Sequence, residues 1–409
     1  MDPFWTVPVR LLSLAMLGSL VALIVLPMCI RWIDDQLGYF MLFLGAGLLW
    51  LSLSLGVVQF DTGAFVQTLL LSQRSGLHLL LLEPWVLILC YFSLSLLLLF
   101  LRRPLHRGLR RWSRTIHPPV LVFLWTLIAG SLGSLSVVVM AVIGALFFAI
   151  LRDVTHRDYT PCVILYAAAI GLSALLTTVG EPLSLFIAQT LGEGSGYLLR
   201  TFGGIYIVNI LALAFASGFL ASRSRIIPET LEERMLKDVH RAERVVAQKK
   251  DVMEVKEALH AVEEFEEHAH DFSHEFDRIL HSTTKLYFFV LGLLLFGEAA
   301  KPVAARVFAD LPPLAAFFGN AVSSVADNAL LGLLEIHKGM PQSLVLVLGI
   351  SLALWGVGLV PGNVCNIVLK ERHGISFRRW ASIGLPCAMG LAVLNVTLIQ
   401  TGVAGWLMF

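Results

Sequence analysis

The chain has 409 residues, 57% of them hydrophobic and 14% charged, with a formal net charge of +1. Its mean hydropathy is +0.79. This balance excludes an ordinary soluble enzyme and gives no basis for nucleic-acid binding; it predicts an all-α polytopic membrane protein whose main partner is the lipid bilayer.

A helix needs about 20 apolar residues to cross the hydrocarbon core. The N-terminus, MDPFWTVPVR, puts a single Arg before an apolar run that is long for a signal peptide and lacks a clear cleavage site. It reads as a retained helix. Apolar runs at 9–30 and 38–57 make a two-helix unit within residues 1–60. Further spans are expected at 79–101, 161–190, 202–221, 286–308, 342–369 and 381–407, about eight in all. The five cysteines, Cys29, Cys90, Cys162, Cys365 and Cys387, show neither metal-ligand spacing nor a disulfide pattern.

Two apolar stretches do not fit single spans. Residues 119–151 are long for one crossing and short for two, with basic segments on both sides. Residues 311–336 open on Pro312 and Pro313 and contain Asp327. Both read as re-entrant hairpins, whose non-helical tips are tolerable only where protein or water covers them. With that reading, the basic segments 102–114, 152–157 and 370–380 and the charged segment 222–285 all fall on the cytoplasmic side, as the positive-inside rule requires for the basic ones. Both termini then lie outside, with Lys301, Arg306 and Lys338 as minor violations.

The same walk reveals a repeat. Span, hairpin, broken span and span occur at 79–221 and again at 286–409, entering the membrane from opposite sides. Inverted repeats with broken helices are the construction of secondary transporters, with the substrate held at mid-membrane between the units.

Residues 222–285 separate the repeats and hold six of the twelve histidines. Val255, Leu259, Val262, Phe265, Ala269, Phe272, Phe276 and Ile279 recur every three or four positions, which predicts an amphipathic cytoplasmic helix. His268, His270 and His274 lie close together with Asp271 and Glu275. This is read as a solvated His-rich face, a pH sensor or a divalent-metal site.

Polar interruptions mark candidate chemistry. Asp327 sits in AFFGNAVSSVADNALLGLLEI beside Asn320, Ser323, Ser324 and Asn328. A charge at the bilayer centre costs roughly 2.5–3.5 kcal/mol on insertion scales, so it is rarely there without a task. LLTTVGEPLSLF contributes Thr177, Thr178 and Glu181, with Gly180 and Pro182 as helix breaks; LVPGNVCNIVL contributes Asn363 and Asn366, with Pro361 and Gly362 as breaks. Hydroxyls, amide oxygens and freed carbonyls are hard ligands suited to sodium or lithium. A desolvated carboxylate can hold either a proton or a cation. The structural alternatives are an interhelical partner for Asp327, a helix start for Glu181, interhelical hydrogen bonding for Asn363 and Asn366, and back-bonding of the threonines to their own helix.

SSVADNALLGLL (323–334) and LWGVGLVPGNVCNIVLKERHGISFRRWASIGLP (354–386) resemble the second repeat of the ion transporter superfamily. That group includes the NhaD-type sodium/proton antiporters, arsenite permease-like proteins and dicarboxylate carriers. The matching features are Asp327-Asn328, Gly362-Asn363 and the turn Gly374-Ile375-Ser376-Phe377, in that order. In the first repeat Glu181-Pro182 stands where an Asp-Pro is common, and the first hairpin has Gly130, Ser131, Gly133 and Ser134 without an Asp-Asn. The resemblance implies inverted repeats, a homodimer in a bacterial inner membrane, and secondary transport without a resident cofactor. The expectation is sodium(lithium)/proton antiport. The alternatives are a carrier of an organic anion or arsenite-like oxyanion, and a non-transporting sensor or assembly protein. The absence of P-loop, G-x-S-x-G and HExxH motifs argues against an enzyme.

Overall fold

The computed structural model describes residues 6–58, 89, 91–97, 104–109, 111–113, 115–227, 276–277, 279–293, 295–297, 299–300, 302–303, 307, 311–325 and 328–403. Among these the protein is helical, with no strand beyond an isolated antiparallel bridge between Arg157 and Ile226. The expected span at 79–101 falls largely outside the described residues, as does most of the insert at 222–285.

The N-terminal unit is α1 (Val7–Cys29), the short α2 (Arg31–Asp35) and α3 (Leu37–Ser54). Val7, Leu14, Val21, Phe43 and Trp50 are exposed. Such outward apolar faces are compatible with lipid and unfavourable in water. α3 packs on α9 (Ile279–Gly297) backbone to backbone. A Cβ at Gly45 would fall 2.1 Å from the Gly292 carbonyl oxygen, and one at Gly38 2.2 Å from that of Lys285. Small residues permit this approach, which is how membrane helices gain contact without a hydrophobic driving force.

The remaining helices form two series with one element order. The first is α4 (Pro118–Ser131), a 3₁₀ turn (Leu132–Ser134), α5 (Val137–Thr155), α6 (Thr160–Ser173), a 3₁₀ turn (Ala174–Leu176), α7 (Pro182–Leu191) and α8 (Ser195–Ser222). The second is α10 (Pro313–Gly319), a 3₁₀ turn (Asn320–Ser324), α11 (Asn328–Glu335), α12 (Gln342–Trp355), a 3₁₀ turn (Val360–Gly362), α13 (Val364–His373) and α14 (Phe377–Gln400). Proline occupies the first or second position of α4, α6, α7 and α10. It has no N–H to lose there, and its fixed φ suits a helix start.

Six helices, α1, α3, α5, α8, α9 and α14, are long and apolar enough to cross a membrane. The protein is therefore an all-helical membrane protein. The segment expected as a hairpin at 119–151 differs in detail: its second arm, α5, has 19 residues and by length alone suffices to cross. It is longer because it starts deep, beside the break between α6 and α7, where Val137 N donates to Gly180 O at 3.3 Å. It then continues past residue 151 to His156, whose φ of 52° ends it.

Contacts gather the polar connections at one end of the molecule. Thr126 of α4 donates to Ser217 of α8 at 3.1 Å, and Gly218 lies under Phe123 and Pro119. Beyond α5, Asp158 N donates to Arg225 O at 2.9 Å and Ile227 N to His156 O at 2.8 Å. Thus both ends of the α4–α5 pair lie beside the end of α8. Arg379, at the start of α14, pairs with Asp158 at 3.8 Å. Consequently α8 finishes where α14, its counterpart in the second series, begins. The buried Lys370 Nζ pairs with buried Asp34 Oδ1 at 3.0 Å, and Asp34 Oδ2 accepts from Phe377 N at 2.9 Å, fastening α2 to the same end. A cavity of about 530 Å³ opens there among Arg31, Asp34, Lys285, Lys370, Glu371 and Arg378.

Candidate functional site: two crossed helix breaks

α6 stops because the chain folds back on itself. A Cβ at Gly180 would lie 2.4 Å from Ala174 O, so only glycine fits that approach. Thr177 and Glu181 adopt extended backbone, and Pro182 then starts α7 with Glu181 as its N-cap. Ser184 Oγ sits 2.6 Å from Thr177 O and 2.8 Å from Glu181 O, serving carbonyls that the break frees. The Thr177 hydroxyl donates to Ser134 O and so ties the break to the turn between α4 and α5. Thr178 points elsewhere: its N and Oγ1 lie 3.2 and 3.1 Å from Ser195 Oγ.

The second break follows the same plan. A Cβ at Gly362 would come within 2.4 Å of Gly356 O. Pro361 and Gly362 lie in the 3₁₀ turn, and extended Asn363 caps α13, its Oδ1 accepting from Cys365 N at 3.2 Å. Asn366 Nδ2 donates to both Gly356 O and Leu359 O at 2.8 Å. One amide thereby braces the freed carbonyls of the whole break.

The two breaks meet. Asn363 Nδ2 donates to Glu181 Oε2 at 3.1 Å, and both side chains are buried. Cys365 Sγ lies 3.7 Å from Ala167 O, so α13 runs against α6 at the crossing. The carboxylate of Glu181 therefore sits at the N-terminus of α7, where the helix dipole favours negative charge.

Residues 13–403 match a family model described as "Protein of unknown function (DUF1646)". The chain belongs to the DUF1646 family. A search of curated proteins returned no match. Both breaks and both helical series fall inside the family's extent.

In this DUF1646 chain the α10–α11 pair approaches the second break. Ser323 Oγ donates to Leu352 O at 3.1 Å and Ser324 Oγ to Trp355 O at 2.8 Å. Ser324 Oγ also lies next to Gly358, and Asn328 is buried. Asp327 lies outside the described residues, as do His268, His270 and His274. Among the predicted site residues, the structure thus joins Glu181 to Asn363, turns Asn366 and Ser324 onto carbonyls around the second break, and sends Thr177 and Thr178 to other elements.

Three buried polar sets were not anticipated. Asn209 of α8 and Asn395 of α14 exchange amide hydrogen bonds at 3.0 and 2.8 Å, and each also donates to the carbonyl four residues earlier. Asn320 donates to Glu335 Oε2 at 2.9 Å and to Ser351 Oγ at 2.7 Å. Asp34 and Lys370 are the third set. In the sequence, the signal for the first was a single Asn within a long apolar run of each helix.

Proposed function

We propose that this protein is a secondary active transporter that exchanges sodium or lithium for protons by alternating access. The observation that carries this reading is the meeting of Glu181 and Asn363, the caps of two half-helices that follow breaks in separate series. Two breaks that free backbone carbonyls cross at one buried carboxylate, and carbonyl and carboxylate oxygens are ligands suited to a small hard cation. Proton and cation would compete for that carboxylate. Asp327, which immediately precedes Asn328 in the sequence and lies outside the described residues, would add the second acid. The resemblance of Asp327-Asn328 and Gly362-Asn363 to the ion transporter superfamily supports the same reading.

The topology we propose is two inverted repeats, each with a re-entrant pair of helices. It is supported by α8 finishing where α14 begins, and by both ends of α4–α5 lying beside the end of α8. The clustering of basic residues 152–157, 223–225 and 370–379 at that end supports a cytoplasmic orientation.

A carrier of an organic anion or arsenite-like oxyanion is the second reading. It is favoured by the convergence of two half-helix N-termini, at Glu181 and Asn363, since such ends attract anions. Glu181 already places a negative charge there, which favours a cation. Reconstituted protein loaded with an internal pH dye separates the two. Proton movement driven by sodium or lithium supports antiport. Uptake of labelled dicarboxylate or arsenite, with no cation-driven proton movement, would replace it with the second reading.

A further inference from the structure

Glu335 ends α11 and is buried, and Asn320 and Ser351 beside it are fully buried. Asn320 uses both of its N–H donors, one on Glu335 Oε2 at 2.9 Å and one on Ser351 Oγ at 2.7 Å. Ser351 spends its own hydrogen on Leu348 O at 2.8 Å. Two acceptors are left: among the described residues, Glu335 Oε1 and Asn320 Oδ1 have no hydrogen-bond partner. They belong to the same two planar groups that the 2.9 Å bond already joins.

Among the described residues of the elements packed on α11, nothing compensates an ionised carboxylate. α11 packs against α7, α12 and the Asn320–Ser324 turn, and residues 182–191, 313–324 and 342–355 contain no Asp, Glu, Lys, Arg or His. The described charges that border these elements are Glu181, preceding α7, and exposed His337 and Lys338, just after α11; Arg306, Asp310 and Asp327 lie outside the described residues. A buried carboxylate without a cation is strongly disfavoured. A proton on Oε1 removes the charge and supplies the missing donor for Asn320 Oδ1, closing a two-bond ring like the Asn209–Asn395 pair.

We infer that Glu335 and Asn320 form an exchangeable proton-binding site, separate from the crossed breaks. The carboxylate takes up one proton on Oε1, which then donates to Asn320 Oδ1; loss of that proton returns the anion. Exposed His337, two residues on, places the site close to solvent at the end of α11. This inference deepens the antiport reading by adding a proton site, but it does not need transport to be true.

Infrared difference spectroscopy on the full chain in lipid tests it. Wild type should show the carbonyl stretch of a buried, hydrogen-bonded carboxylic acid that shifts in deuterated water and disappears as pH rises. Glu335→Gln, whose amide can make the same two-bond ring and so preserve the fold, should lose that band. Asn320→Ala should keep the band but move it to higher frequency. Identical wild-type and Glu335→Gln spectra in this region, or a Glu335 band that neither exchanges nor titrates, would overturn the inference. Since the band is read without any flux, a protein that moves no sodium still tests it, and the two proposals can fail separately.

Discussion

Asn363 donates a hydrogen bond to Glu181 at 3.1 Å, and each of these residues caps the short helix that follows a break. The pair links the two helical series across 182 positions of sequence. Both partners are buried, so solvent does not replace the bond when it is broken.

Asn363→Ala removes two things at once. The lost N-cap costs about 0.5–2 kcal/mol. Loss of the hydrogen bond to the Glu181 carboxylate adds about 1.5–3 kcal/mol. Thermal unfolding in detergent should therefore show a clear drop in midpoint, larger than for Asn363→Ser, whose hydroxyl keeps the cap without adding a charge beside Glu181. Equal midpoints for the two variants would mean that the cap contributes nothing.

Asn209 and Asn395 hold α8 to α14. Interhelical hydrogen bonds in membranes are worth roughly 0.6–2 kcal/mol. Asn209→Leu and Asn395→Leu should each destabilise, and the double variant should lose less than the sum, since the second change removes an already orphaned amide. Additive losses would show that the two amides act independently.

The close seam between α3 and α9 makes a third prediction. Gly45→Leu places side-chain atoms where the Gly292 carbonyl now sits, and overpacking of this kind costs about 1–3 kcal/mol or more. Gly47→Leu, where a Cβ meets nothing within 4 Å, is the control and should leave the unfolding midpoint unchanged.

Lys370 and Asp34 form a buried ion pair at 3.0 Å between α13 and α2. Lys370→Met leaves the Asp34 carboxylate buried without its partner, at a cost of about 3–5 kcal/mol. Adding Asp34→Leu should recover part of this loss, although Phe377 N then lacks its acceptor. A double variant less stable than Lys370→Met would contradict the account of the pair.

Hydropathy made the helical membrane fold legible, because spans are written as long apolar runs. Glycine and proline made both breaks legible: Gly180, Pro182, Pro361 and Gly362 all sit at the interruptions between α6 and α7 and between α12 and α13. What sequence did not convey was pairing. Asn363 and Asn366 looked alike, yet one faces Glu181 and the other turns back on its own break: Asn363 is the extended cap, and Asn366 lies three residues on, inside α13. Glu335 drew no notice because it stands two residues from the polar His337-Lys338 loop, where acids are commonly solvated. Only the fold shows that Asn320 and Ser351 bury it. The length of α5 was also hidden, since no residue marks how deep its start at Ser136 lies.

The most direct measurement is sodium-driven proton movement in proteoliposomes, comparing wild type with Glu181→Gln at matched reconstitution and verified folding. The account predicts sodium- or lithium-dependent proton flux for wild type and background flux, equal to empty liposomes, for Glu181→Gln. A folded wild type that moves no protons with either cation, or a Glu181→Gln variant that exchanges at the wild-type rate, would contradict the crossed breaks as the ion site.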